Sequence, residues 1–390
     1  MKVKYQHTVL IACTFAFFAT MFPRLGISPL VPEIAAEFDT SNARIGVALT
    51  GMWMAYSLMQ FPSGALSDQY GERLIIVVSL GGTVLASLLI VVSPVFGLFT
   101  AALVILGIFT GFHYTVGTAL LTRQYDEMGR TIGIHDAGAT IAGLAAPVTV
   151  AWVSLYYNWR AGVLIAGVLA LFVFIAFSLF IRPTEPQNPD KRLLTKFRIQ
   201  PMTSFLLQPK ILFTTSLAIG ITFIWQGTAS FLPTFFVQHH KFSQTHAGII
   251  FSAYFIIQSV GQIGIGSLSD RYGHDMAIMM CIIFSGIGFV LLIMQTTFVG
   301  LVVGVFFIGI GMSVYPPLIS RYLNQLSNER MGAELGLVRT VYGVLGATGP
   351  LGIGWVADLA GWGVSFSIFI VLSVLVAAAI ILNTVFNFGY

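Results

Sequence analysis

Apolar runs of about twenty residues, separated by short polar breaks, fill this chain from end to end. Twelve can be drawn, at 8–31, 45–66, 74–93, 96–122, 132–156, 161–182, 210–236, 246–268, 276–294, 298–321, 333–356 and 363–386. About 20 helical residues span the hydrocarbon core of a bilayer. The period-2 alternation of a membrane barrel is missing. Lipid offers no partner to a free backbone N–H or C=O, so helices are the one structure these runs can adopt. The pattern predicts an all-α membrane protein with twelve transmembrane helices. The first run follows MKVKYQH, is too long for a signal h-region and lacks a small-residue cleavage site. It is therefore expected to stay as the first span.

One polar stretch is long. Residues 182–201, RPTEPQNPDKRLLTKFRIQP, combine prolines with charges. They predict a linker over 183–208 between an N-terminal six-helix bundle (1–182) and a C-terminal one (209–390). The two halves repeat one another. GALSDQYGER at 64–73 returns as GSLSDRYGHD at 266–275, 202 residues later, with six of ten letters kept. Gly133, Gly143, Pro147 and Trp159 return 203 residues on as Gly336, Gly346, Pro350 and Trp362. With six helices in each, both halves start on the same side of the membrane, so the repeat is parallel. Transporters built this way bind substrate near the midplane.

Composition sharpens the picture. The 390 residues are 56% hydrophobic and 9% charged, where soluble domains carry about 25% charged residues. The net charge of +4 comes from scattered loop residues, not from the basic stripe that nucleic acid requires. Fourteen lysines and arginines fall in loops and ends on one side: Lys2, Lys4, Arg73, Arg123, Arg130, Arg182, Lys191, Arg192, Lys196, Arg198, Lys210, Arg271, Arg321 and Arg330. Three, Arg44, Arg160 and Lys241, fall on the other. The positive-inside rule then places both termini in the cytoplasm, with the plasma membrane as the expected location. Cys13 and Cys281 lie in separate apolar runs and read as buried thiols.

The span count, the central loop and the G-x-L-S-D-x-x-G-x-R signature between spans 2 and 3 resemble the major facilitator superfamily along essentially the whole chain. The resemblance implies two pseudo-symmetric six-helix bundles, alternating access and a monomer. It also implies that Asp68 latches the cytoplasmic side when closed, with Gly71 and Arg73 in the same turn and Asp270 as the weaker copy. Asp275 stands where the second copy would place an arginine. Two patterns of proton-coupled drug exporters are incomplete. Gly107 fills the place of an arginine in span 4, and Val150 and Ala151 replace paired glycines in span 5.

Ionisable side chains inside a membrane are costly and usually face a cavity or a partner. Five stand out: Arg24, His113, His135, Asp136 and Arg339. Arg24 follows Pro23 in span 1, and its repeat equivalent is Gln226 beside Trp225. It reads either as a fork for a carboxylate or phosphate or as a structural arginine bonded to nearby carbonyls. His113, next to Tyr114, titrates near neutrality and reads as a proton carrier or as a packing residue; its equivalent is Tyr315. Asp136 and Arg339 occupy matching positions with opposite signs, which suggests a state-dependent gate pair or, for Arg339, an anion ligand. His135 adjoins Asp136 and points about 100° away on a helix. Asp136 is therefore expected to be the working member of the two.

No nucleotide loop, metal-spaced cluster, nucleophile elbow or dinucleotide fingerprint is present in the sequence. The expectation is no enzyme and no cofactor, but a secondary transporter of a small solute, coupled to protons or working by exchange. Two embedded arginines against one carboxylate favour an organic anion. An exporter of amphipathic cations and a non-transporting membrane sensor are the alternatives.

Overall fold

The computed structural model describes residues 5–125, 128–186, 204–326 and 331–389. Most of the expected linker, 187–203, lies outside them, as do Lys2, Lys4 and Arg330. The described residues are helical throughout, with no strand. In the first half the helices are α1 (Tyr5–Glu37), α2 (Asn42–Tyr70), α3 (Glu72–Val91), α4 (Phe96–Gly111), α5 (His113–Thr122), α6 (Met128–Tyr156) and α7 (Trp159–Phe180). In the second they are α8 (Pro209–Gln238), α9 (Gln244–Tyr272), α10 (His274–Met294), α11 (Phe298–Gly311), α12 (Tyr315–Leu323), α13 (Met331–Gly346), α14 (Gly349–Ala360) and α15 (Trp362–Val385).

Each of the twelve expected spans corresponds to one helix or to a broken pair. Ten stretches are long and apolar enough to cross a membrane on length and composition. The other two are informative. In α2, Ser57, Gln60, Ser63 and Ser67 dilute the apolar run, and all four are buried. Span 11 is split into α13 and α14 at Ala347–Thr348, just before Pro350. Span 10 breaks before Pro316 and Pro317, which lack the N–H that a continuing helix would need. Span 4 breaks at Phe112.

The chain divides into two compact units. Unit 1 holds residues up to Phe38 and Gly51–Arg198; unit 2 holds Asp39–Thr50 and the chain from Ile199. The core of unit 1 joins α1, α3, α5 and α7 through Cys13, Ala16, Ile76, Leu80, Val116, Leu120 and Phe177. The core of unit 2 joins α8, α10, α12, α13 and α15 through Ala218, Ile221, Ile278, Ile282, Leu318, Val338 and Ile380. Spans 1, 3, 4 and 6 of one repeat therefore match 7, 9, 10 and 12 of the other. Both cysteines are free and buried.

Packing follows membrane rules rather than amphipathic ones. On α7 the buried face carries Gly162, Ala166, Gly167 and Ala170, while Leu164, Val168, Leu171, Phe172 and Ile175 are exposed. Small residues let helices approach where apolarity alone gives no preference between protein and lipid. A Cβ on Gly107 would lie 2.2 Å from the Met52 carbonyl, and one on Gly111 2.6 Å from that of Tyr56. Backbone contact between α2 and α4 therefore accounts for glycine at 107.

The repeat is also written in hydrogen bonds. Trp159 Nε1 donates to the Glu37 carboxylate at the end of α1, and Trp362 Nε1 donates to Gln238 Oε1 at the end of α8, 2.8 Å away. In each unit the sixth span is thus tied to the first. Within unit 2, the Asp358 carboxylate accepts from the backbone N–H of Asn42 (3.2 Å) and of Ala43 (2.7 Å). An acid at a helix N-terminus satisfies orphan donors and is favoured by the dipole.

Candidate functional site

Arg24 is a deeply buried charge of unit 1, with 2% of its surface exposed. Its guanidinium lies over the ring of Tyr56, 3.9 Å from the centroid, and 5.3 Å from that of Trp53, both on α2. Nε donates to the Thr20 carbonyl one turn back (3.1 Å), and Nη2 contacts the Met21 sulfur (2.6 Å). Nη1 is buried and has no hydrogen-bond partner. No carboxylate among the described residues pairs with this cation. The carbonyl bond that the structural reading requires is present, yet it uses one donor and leaves another vacant. A guanidinium held between aromatic faces with a free donor is arranged to receive an acceptor-rich anion.

His113 opens α5 directly after the break in span 4, and both it and His135 of α6 are fully buried. Their Nε2 atoms lie 3.2 Å apart. His135 Nδ1 lies 3.3 Å from Asp136 Oδ1. Phe17 of α1 stacks on both imidazoles, at 4.9 Å from His135 and 5.7 Å from His113, and Tyr114 lies against Phe17 and His135. Gly117 gives the pair room, since a Cβ there would sit 3.2 Å from both rings. Asp136, expected to be the working member of the two, is in contact with His135. The 100° between neighbouring residues separates their Cβ directions, but the side chains bend together and His135 is the one that reaches His113. No sequence signal pointed to this contact, because it joins two helices 22 residues apart.

The turns after spans 2 and 8 carry ion pairs that the motif alone did not disclose. Gly71 and Gly273 adopt φ of +84° and +91°, which accounts for glycine at both turns. Arg73 Nε and Nη2 donate to the carbonyls of Ile181 and Ser178, both at 2.6 Å, and so cap the C-terminal end of α7. Its neighbour Glu72 pairs with Arg123 at the end of span 4, 2.9 Å away. In the second repeat Asp275 pairs with Arg321 of α12. An acid at the start of the third span thus holds an arginine of the fourth in both halves. Asp68 is half-buried near the end of α2, and Asp270 is exposed near the end of α9.

In unit 2, Gln226 is buried on α8 with its Oε1 unpartnered. Trp225 stands edge-on to Tyr315, with ring centroids 6.3 Å apart. Arg339 lies half-buried on α13. The repeat thus places an arginine at 24 and a neutral amide at 226. Among the described residues no group of three or more potential metal ligands is gathered.

Comparison with known proteins agrees with this architecture. Over 98% of this chain and 97% of the other, the fold superposes with a TM-score of 0.82 and 16% identity on the crystal structure of a bacterial homologue of the human lysosomal transporter Spinster. The membrane sensor protein UhpC of Escherichia coli is 28% identical over 183 residues, 46% of this chain and 42% of the sensor. The matched stretch thus spans less than half of that relative. The hexuronate transporter of Bacillus subtilis is 21% identical over 367 residues, 87% of this chain and 85% of the relative. The "Probable nitrate transporter NarT" of Staphylococcus epidermidis is 23% identical over 348 residues, 86% and 85% of the two. The family model of the Major Facilitator Superfamily matches residues 13–248 and 221–386. With that match across the repeat, the twelve spans and the duplicated turns after spans 2 and 8, this multi-pass membrane protein belongs to the Major Facilitator Superfamily.

Proposed function

We propose that this protein carries a small organic anion across the plasma membrane by alternating access, coupled to protons or working by exchange, as a monomer with both termini in the cytoplasm. The observation that carries the proposal is Arg24: buried, cradled by Tyr56 and Trp53, without a carboxylate partner among the described residues and with one donor vacant. A buried cation without a counter-ion is expensive, and an anionic substrate supplies the missing charge. Hexuronate and nitrate, the cargoes named for two of the relatives, are anions. The exporter of cations has weaker support, because Asp136 is already engaged by His135.

The sensor reading has one observation in its favour, the similarity to UhpC. Both readings predict anion binding at Arg24; only the transporter predicts flux. The test is reconstitution in liposomes with radiolabelled glucuronate, hexose phosphate and nitrate, each with and without an imposed pH gradient. Saturable uptake of one of them, lost in Arg24→Met and weakened in Arg24→Lys, supports the proposal. Binding without flux supports the sensor. Uptake of a cationic dye with no response to any anion overturns the anion reading.

A further inference from the structure

His113 and His135 have four ring nitrogens and three places to use them. At one end His113 Nδ1 is buried against the Cys13 carbonyl of α1 without a hydrogen bond of normal geometry. In the middle the two Nε2 atoms face each other at 3.2 Å. At the other end His135 Nδ1 meets the Asp136 carboxylate. Both ends are acceptors only. A neutral imidazole carries one N–H, so a neutral pair brings two protons to three links. One link is then empty, and two lone pairs confront each other. Three N–H protons fill all three links, which leaves a single positive charge on the pair opposite Asp136.

We propose that His113 and His135 form one proton-binding site, in which a single proton is shared across the 3.2 Å Nε2–Nε2 contact and balanced by Asp136. This deepens the proton-coupled reading above and rests on it for its role in transport. The proton comes from bulk water, forms one N–H bond on the pair and returns to bulk water on release; no other bond is made or broken. Asp136 is the exit toward solvent, with 45% of its side chain exposed against none of His135.

The charged neighbours connect the site to the anion. From α1 the pair meets Arg24, within electrostatic range of His113, and the backbone of Cys13. Arg24 lies seven residues, or two helical turns, beyond Phe17 on the same face of α1. From α5 it meets Tyr114, and from α6 Asp136. The carboxylate of α3, Glu72, is held by Arg123 at the far end of α5, and Arg160 of α7 is held by Glu37 at the far end of α1. With Arg24 uncompensated, its field opposes a second positive charge on the histidines. An anion on Arg24 cancels that field, so anion and proton bind more tightly together than apart. Linkage requires the effect to be reciprocal.

The experiment is a pH titration of 15N-labelled imidazole resonances in the full-length protein in nanodiscs. His113→Gln and His135→Gln identify the two resonances among the seven histidines. The expected result is that both move together in one step that takes up one proton, with a scalar coupling between the two Nε2 nuclei. Saturating glucuronate raises the midpoint by about one pH unit, a tenfold gain in proton affinity, and Arg24→Met abolishes that shift. Two independent steps, or no step between pH 4.5 and 9, overturn the proposal. Should either variant fail to fold, the coupling in the wild-type protein decides by itself, and its absence across the range overturns the site. Proton-driven uptake alongside a silent pair removes this site and leaves the transport reading standing. A shared proton alongside pH-independent uptake keeps the site and removes its coupling role.

Discussion

Replacing Arg24 with methionine separates its two roles. Placing an arginine in the middle of a membrane helix costs about 2.5–3.5 kcal/mol on insertion scales. Against this, the desolvated cation–π contact with Tyr56 returns about 2 kcal/mol, and the bond from Nε to the Thr20 carbonyl about 1.5 kcal/mol. The terms cancel to within about 1 kcal/mol. Methionine has a similar reach and can lie against the same two aromatic rings, so Arg24→Met is expected to unfold within a few degrees of wild type. The anion reading predicts a very different functional result, loss of all saturable uptake. It also predicts that ligand at a hundred times its Kd stabilises the wild type by about 2.7 kcal/mol and the variant not at all. The assay is thermal unfolding in detergent with and without glucuronate, beside liposome uptake on the same preparation. An Arg24→Met protein that loses several kcal/mol yet transports normally would show the arginine to be structural and sink the argument.

Other outcomes follow from the same contacts. Arg73→Ala removes both guanidinium bonds to the end of α7 and is expected to lower stability by about 1–3 kcal/mol, with Arg73→Lys recovering part; equal melting of all three proteins would refute the capping role. Gly107→Ala is expected to lower stability by about 1–3 kcal/mol through overpacking against the Met52 carbonyl, while Gly97→Ala, with open space around its Cβ, stays within about 0.5 kcal/mol; thermal unfolding of both variants decides it. Asp136 and Arg339 are proposed to pair in one transport state, so a double-mutant cycle on uptake is expected to be non-additive; strictly additive losses would dismiss the pair. His240 lies outside the spans, and burial pushes its pKa below the usual histidine value. Its neutral form is favoured in the folded protein, so stability is full above pH about 6.5 and falls as the pH drops below it. His240→Asn should flatten that part of the melting curve, and an unchanged slope would exclude the residue as its source.

The spans were legible because lipid imposes one rule on every residue of the chain, and that rule leaves a run of fixed length. The turns after spans 2 and 8 were legible because Gly71 and Gly273 must take positive φ, a demand that singles out glycine. Arg24 was legible as an oddity, since a charge in an oily run has few excuses, but its vacant donor and its aromatic cradle needed coordinates. The His113–His135 contact was not legible. Two histidines 22 residues apart on separate helices meet only because α5 and α6 pack in one particular rotation, which Gly117 and Phe17 permit. The role of Arg73 was hidden for a related reason. The repeat showed that the slot differs between halves, but not that the arginine reaches across to the end of α7.

The tryptophan ties have a consequence for how the chain is made. Glu37 must wait 122 residues for Trp159, and Gln238 waits 124 for Trp362. During synthesis the first helix of each half therefore sits in the bilayer with a polar end group unmet until its sixth helix arrives. Once it does, the first and sixth helices of that half are joined. A ribosome making this protein thus completes one such tie per half in succession, each through a single indole.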